Sequence, residues 1–387
     1  MPRIAALRTH AVNVTAKSNW VFVELVADDG ITGIGEASLN GWEPLLLAYA
    51  ERLAREVVGG DDATLARATR YLPHSPGGLV VHALRSALEQ ASVDAAARRA
   101  GVAVHRLLGG PVRTRVPVYA NINRATTDRT PAGFAASGRR AVEAGFRAVK
   151  VAPFDGAVAE DRATTPYAAR VAAGIERILA LRDAVGPSVA VMADCHWRLD
   201  EATAREVIRA LAPANLAWLE CPVSEHPDLH DAIARLRGVA NDAGMRLAGA
   251  ETVTGVDAIA PLLARGCYDV VMPDLKYCGG YRGLLAIAAA AAAHGVAFSP
   301  HNPTGPVCNL GSLHACAAAA DCLNLEYQLA ESPLYTALVH GVAPRLVDGS
   351  FEVPDTPGVG ATLDAAVVAA HPWRPLPQGS NLDERLG

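Results

Sequence analysis

Aromatic side chains are scarce here, at 5% of 387 residues, which favours a ligand carrying hydroxyls over one carrying an aryl ring. Positive charge is nowhere concentrated: Lys and Arg number 35 against 40 Asp and Glu, with no basic block. A nucleic-acid backbone or an anionic membrane surface is therefore not the expected partner. The seven cysteines (195, 221, 267, 278, 308, 316 and 322) are odd in number, dispersed, and lack a CxxC pair. That excludes a disulfide framework and a thiolate zinc site, and a reducing cytoplasm is expected. Long apolar runs are missing too. Residues 1–15 have no signal core, and the alanine-rich run 284–293 is too short to span a bilayer. What remains is a folded chain that is 51% hydrophobic, long enough for one large α/β domain and a smaller one.

Against that background, three runs stand out. Val189-Ala-Val-Met-Ala-Asp194, Leu216-Ala-Trp-Leu-Glu220 and Arg246-Leu-Ala-Gly-Ala-Glu251 are apolar, strand-like stretches that each end in a carboxylate. Parallel neighbouring strands in a barrel would bring Asp194, Glu220 and Glu251 to one rim, around one hard cation. An all-oxygen ligand set suits Mg²⁺ better than zinc or an iron–sulfur cluster.

The flanking sequence fits. Residues 1–115 have the pattern of an α+β cap, with a hairpin signal at Asp28-Asp29-Gly30 between two strands and helical spacing over 43–58 and 79–100. From 116 to 330, eight strand-like runs begin at 116, 147, 189, 216, 246, 269, 296 and 323, most of them roughly 23–31 residues apart, with helix-compatible stretches between. The expected fold is α/β, a (β/α)₈-type barrel behind an N-terminal cap, with an open doubly wound sheet as the alternative. Residues 331–387, rich in proline beyond 350, are expected to pack back on the cap or to remain loose.

Polar residues close nearly every run: Lys150, Asp194 with His196, Glu220, Glu251, Asp274, His301 and Glu326. Together with Leu-Glu-Cys-Pro-Val, Ala-Gly-Ala-Glu, Met272-Pro-Asp274 followed by Gly279-Gly280, Ser299-Pro-His301-Asn-Pro-Thr-Gly-Pro306 and Leu325-Glu326-Tyr-Gln328, they make the chain resemble the enolase superfamily. Within it the likeness is to the mandelate racemase-like subgroup. The resemblance implies a Mg²⁺ held by Asp194, Glu220 and Glu251, a small carboxylate substrate, and an enediolate formed when the α-proton leaves. It implies His301 as base, backed by Asp274, and Glu326 as a partner of the substrate carboxylate. Symmetric homo-oligomers are expected by the same analogy.

One departure bears on the reaction. Where many relatives carry Lys-X-Lys, this chain has Lys150-Val-Ala152, so alanine stands where a second base would sit. Lys150 is then a contact for the substrate carboxylate, or the second base of an isomerase if it reaches the α-carbon. His196, two residues past Asp194, resembles the acid that protonates the departing hydroxyl in galactonate-type dehydratases. The expected function is dehydration of a sugar acid. An epimerase or racemase, a lactone cycloisomerase, and a non-catalytic binding protein that kept the fold are the alternatives. Arg198, Asn121, Lys276 and Trp20 are candidate substrate contacts, with Asn123, Trp42 and His74 behind them and cap loops near 15–20 and 38–42 as the lid. Helix caps, surface positions or cap-core packing account equally well for several of these.

Overall fold

A computed structural model describes residues 2–70, 78–341 and 343–376. His74 lies outside the described residues.

The cap begins with three antiparallel strands, β1 (Ile4–Thr15), β2 (Ser18–Ala27) and β3 (Thr32–Glu36). Helices α1 (Glu43–Val57), α2 (Asp62–Ala68) and α3 (Gly78–Ala100) follow. The chain thus reaches residue 20 inside a strand. The segment 15–20, expected as a lid loop, is a hairpin tip running into β2, because Thr15 pairs with Ser18 and the alternation of β2 starts there. The glycines of β3 are set by α3. A Cβ on Gly33 would stand 2.0 Å from the Ala91 carbonyl oxygen, and one on Gly35 2.1 Å from that of Ala87. Helix and sheet therefore meet backbone to backbone, and polar side chains of α3 reach across the cap.

After the single turn α4 (Val104–Leu107) the barrel opens. Its strands and helices alternate as β4 (Arg115–Asn121), α5 (Pro131–Glu143), β5 (Ala148–Val151), α6 (Thr165–Val185), β6 (Ala190–Asp194), α7 (Glu201–Leu211) and β7 (Trp218–Glu220). They continue with α8 (His230–Asp242), β8 (Arg246–Gly249), α9 (Val256–Ala264), β9 (Val270–Val271), α10 (Gly280–Ala293), β10 (Ala297–Phe298), α11 (Pro306–Ala318) and β11 (Leu325–Gln328). Strands β4 to β10 pair in sequence, all parallel, and β11 pairs with β4. Leu323 donates to the Phe298 carbonyl at 2.8 Å, which closes the ring between β10 and β11. The helix after β11 is only Leu334–Ala337.

Local signals explain the rhythm. Thr130, Thr164 and Asp200 each accept a backbone N–H from the first turn of the helix that follows, so the loops at the C-terminal rim end in ordinary N-caps. Ladders at β9 and β10 are two residues long where the strand-like runs of the sequence are six. Pro273 and Pro300 have no N–H to donate and end the pairing. One further bridge, between Asp274 and His301, lies beyond those prolines.

Inside the ring, Tyr119, Met192, Trp218, Ala248, Val270 and Met272 form one buried cluster. Counting on by two from Tyr119, Met192, Trp218 and Met272 gives Asn121, Asp194, Glu220 and Asp274, so the polar layer sits directly above the apolar one. The C-terminal segment returns to both domains. Ser350–Glu352 pairs antiparallel with β4, while Pro372 bridges Val12 and Trp373 donates to the Ala11 carbonyl. No helix among the described residues is long and apolar enough to cross a membrane.

Candidate active site

Asp194 and Glu220 are direct partners in the β6–β7 register, and alternation points both inward. Glu251 breaks that rule, lying three residues past Ala248 instead of two. Ala250 between them takes a left-handed φ of +74°, which turns the chain and brings Glu251 to the same rim. His196, Trp197 and Cys221 are also left-handed. Four of the chain's few non-glycine left-handed residues thus flank the three acids. Each costs about 1–2 kcal/mol, a concentration of strain expected of a functional site.

The three carboxylates are 4% exposed or less, and their ligand oxygens all lie within 4.8 Å of one another. Burying so much like charge is costly. Burial pushes the Glu220 carboxyl up to about 8, with Lys150 opposing and the charges of Asp194 and Glu326 adding to the rise. A compact, all-oxygen, anionic cluster of this kind fits a hard divalent cation. Asp194, Glu220 and Glu251 are the residues that would hold it.

Lys150 answers part of that charge from within. Its Nζ lies 2.7 Å from Glu220 Oε1 and 2.9 Å from Glu326 Oε1, and the side chain is 1% exposed. Burial works against its charge, but Glu220 and Glu326 outweigh burial and hold the ammonium well above its ordinary range. Glu326 is fixed further by the Asn121 amide, donating at 2.7 Å, and by the backbone N–H of Asn302 at 2.9 Å. Asn121 therefore meets Glu326 and orders that carboxylate. Asn123 donates its backbone N–H to Asn121 Oδ1.

On the Glu251 flank, His301 Nδ1 is 2.8 Å from Asp274 Oδ2, and His301 Nε2 is 3.6 Å from Glu251 Oε2. Asp274 accepting at Nδ1 fixes the tautomer whose Nε2 faces the carboxylate cluster. Lys276 shares the same acceptor, with Nζ 3.0 Å from Asp274 Oδ2. It is 2% exposed: a buried partner of the dyad, not a helix-start lysine in solvent. Burial holds the His301 imidazole below its ordinary value despite the raising effect of Asp274. Asp274 thus orients the imidazole, while burial has the larger effect on its basicity.

On the Asp194 flank, His196 Nε2 lies 2.6 Å from Asp194 Oδ2, and its backbone N–H donates to Asp194 Oδ1 at 2.8 Å. His196 also lines a cavity of about 440 Å³ with Arg198, Glu225 and Thr252, beside the carboxylate cluster but not lined by its three acids or by His301. Arg198 reaches the Ala157 carbonyl there. Trp20 is not on that wall. It is 1% exposed, edge-on to Phe22 and Tyr335, which makes it a packing residue of the cap–barrel seam. Trp42 packs against the cap's own core.

Residues that sequence reasoning passed over complete the frame. Trp218 Nε1 donates to Glu220 Oε2 at 3.0 Å from the layer below. Glu225, half-buried and raised above its ordinary value chiefly by desolvation, accepts from the left-handed Ala250 N–H and from the Tyr268 hydroxyl, both at 2.6 Å. Glu36, Glu89 and Gln90 of the cap bond to the barrel loops after β9 and β10. A carboxylate inside the apolar run Gly-Ile-Gly-Glu36, and glycines at two helix starts, are the only sequence signals for the last group.

A closed parallel barrel with a carboxylate triad at its C-terminal rim and a histidine–aspartate pair beside it defines a class: a metal-assisted barrel enzyme working beside a carboxylate cluster. The chain belongs to the enolase superfamily, matching the enolase C-terminal domain-like family over residues 133–367 and the mandelate racemase/muconate lactonizing enzyme N-terminal domain over residues 3–109. It is 30% identical over 364 residues to a D-xylonate dehydratase of Haloferax volcanii, covering 91% of this chain and 85% of that one. It is 28% identical over 369 residues to a D-galactonate dehydratase of Xanthomonas euvesicatoria, covering 92% of each. Among solved structures, a candidate dehydratase from Mesorhizobium loti superposes with a TM-score of 0.84 at 25% identity, over 97% of this chain and 99% of that one. A candidate L-alanine-DL-glutamate epimerase from Burkholderia xenovorans, bound to magnesium and fumarate, superposes with the same TM-score and identity over 100% of both.

Proposed function

We propose that the chain is a Mg²⁺-dependent dehydratase of a sugar acid, an α,β-dihydroxy carboxylate of the aldonate or aldarate kind. The observation that carries the proposal is the placement of two imidazoles on opposite flanks of one carboxylate cluster. His301 stands against Glu251 and His196 against Asp194. Elimination of water needs a proton taken from the α-carbon and another delivered to the β-hydroxyl, and this arrangement offers one group for each. The dehydratase relatives point the same way.

In this reading Asp194, Glu220 and Glu251 hold the cation, which when bound supplies the positive charge that a carboxylate requires as its α-proton leaves. His301 Nε2 takes that proton, while Asp274 accepts from Nδ1–H and steadies the imidazolium. The electron pair passes into the carboxylate as an enediolate. Lys150, held above its ordinary range, stays an ammonium and stabilises negative charge beside Glu326 instead of acting as a base. The pair then returns from the enediolate, the C–O bond to the β-hydroxyl breaks, and His196 gives its proton to the leaving oxygen. The enol so formed tautomerises to a 2-keto-3-deoxy acid. Arg198, on the cavity that His196 also lines, is assigned to the far end of the substrate.

Residues 116–330 carry this chemistry behind the cap of residues 1–115, with strands and bridges of residues 350–373 laid against both. All seven cysteines are unpaired, which supports a reducing, cytoplasmic location. Association into a homo-oligomer belongs to the same reading and rests on the family alone.

The test is incubation with Mg²⁺ in D₂O against a panel of aldonic and aldaric acids and their lactones, followed by proton NMR. A 2-keto-3-deoxy product is expected. Deuterium at the α-carbon, an epimer or an opened lactone without loss of water would replace dehydration by an isomerase working through Lys150 and His301.

A further inference from the structure

Glu36 ends β3 in the cap, is completely buried, and lies outside the carboxylate cluster. Its Oε1 accepts from the Thr304 hydroxyl at 2.5 Å, the Gly305 N–H at 2.8 Å and the Ser38 hydroxyl at 2.7 Å, and its Oε2 accepts from the Cys308 N–H at 3.0 Å. Three of these four donors belong to the segment that begins at His301. Thr304 is three residues past the imidazole, with Asn302 and Pro303 between, and Gly305 caps α11. A side chain on Gly305 would have its Cβ 2.9 Å from both Glu36 oxygens and 3.0 Å from the Trp20 ring. The glycine of the Ser299–Pro306 stretch makes room for this contact. Gln90 adds a second tie, accepting from the Glu36 N–H at 3.1 Å and donating to the Leu275 carbonyl, next to Asp274, at 3.4 Å.

We propose that Glu36 is a positioning residue for His301: by clamping residues 304–308 to the cap, it sets where the imidazole stands over the carboxylate cluster, so that seating the cap and placing the base are one event. The proposal rests on His301 being the base. Its physical basis is the chemistry of the clamp. All four hydrogen-bond partners donate, and the acceptor is a carboxylate at the N-terminus of α11. An amide in its place would turn an NH₂ toward one of those donors.

The experiment compares the Mg²⁺-loaded full chain with Glu36→Gln, Thr304→Val and Thr304→Ser. For Glu36→Gln, kcat and the rate of α-proton exchange are expected to fall together, about ten- to a hundredfold, while KM and the Mg²⁺ dissociation constant stay within about threefold. Thr304→Val shows the same pattern more weakly, and Thr304→Ser returns to within about twofold of wild type. Hydrogen exchange read by mass spectrometry, which needs no substrate, speeds up over residues 302–310 but not over the peptides carrying Asp194 and Glu220. Unchanged kcat in Glu36→Gln, or a loss of Mg²⁺ affinity matching the loss of kcat, overturns the proposal. If Glu36→Gln does not fold, the Thr304 pair decides by the same criteria. Wild-type protein that exchanges no α-proton with any acid of the panel would bring down the functional reading and the proposal with it. Normal wild-type exchange with unaffected variants would bring down the proposal alone.

Discussion

Asp194 and Glu220 are held by the barrel itself. They stand on paired strands and alternate with a packed apolar layer, and Glu220 bonds to Trp218 of its own strand and to Lys150 of β5. His301 and Asp274 lie beyond prolines that end their ladders, joined by a lone bridge, and the helices that follow them start on carboxylates of the cap. Glu36 serves α11 and Glu89 serves α10, the latter accepting the Tyr281 N–H at 2.9 Å. One half of the site is thus intrinsic to the barrel, and the other is lent its order by a second domain. The pairing suits the chemistry. A metal half must exist before substrate arrives, whereas a base aimed at a weakly acidic carbon is useful only once the mouth is covered.

The comparison is tested most sharply by one substitution in each half. Glu220→Gln should weaken Mg²⁺ binding by at least roughly a hundredfold and abolish turnover with it. His301→Asn should lower turnover by roughly 10²–10⁴-fold and leave the calorimetric Mg²⁺ affinity unchanged. Equal effects of both on metal affinity would erase the division.

A smaller effect is expected at Gly280, where φ is +69° and a Cβ would stand 2.0 Å from Glu89 Oε2. Gly280→Ala should cost about 3–4 kcal/mol in urea unfolding, combining backbone strain with a displaced buried carboxylate. Gly279→Ala should cost only about 1 kcal/mol, since that position is left-handed but open. Similar losses at the two sites would mean that Glu89 is not a tight anchor.

Smaller than the loss at Gly280 is a pH effect. Burial pushes the Glu89 carboxyl up to about 7 from an ordinary 4.5, against the pull of the Tyr281 N–H and Arg282. Between those values the native chain binds more protons than the unfolded one, so this contribution is complete below the lower value and is lost as pH rises through the upper. Stability should decline across that window by on the order of 2–3 kcal/mol, and Glu89→Gln should flatten the decline. A variant curve parallel to wild type would place the dependence elsewhere.

How much of this could be read in the sequence follows the same line. Asp194 and Glu220 obey the period of a buried strand, so run and terminus alone point to them. Glu251 also closes a strand-like run, although a left-handed Ala250 and not alternation brings it to the rim; Asp274 and His301 close runs that Pro273 and Pro300 interrupt, and their pairing as a dyad came from the family motifs. The anchors were invisible because their partners are remote: Glu36 meets Cys308 across 272 residues, and Glu89 meets Tyr281 across 192. The strand β1 was missed as well, since its exposure pattern of mostly half-buried residues gives no clean alternation. Lys276 read equally as pocket or solvent, and only packing decides between a buried ion pair and a free lysine.

The contact between Gly305 and Glu36 also limits how such enzymes exchange parts. A barrel grafted beneath a foreign cap would keep Asp194 and Glu220 in place, because its own paired strands hold them. On the proposed clamp, His301 would lose its placement unless the new cap brought a carboxylate to the same glycine. Substrate range in such a scaffold therefore diversifies most readily by changing loops on a resident cap, with the seam beneath them passed on intact.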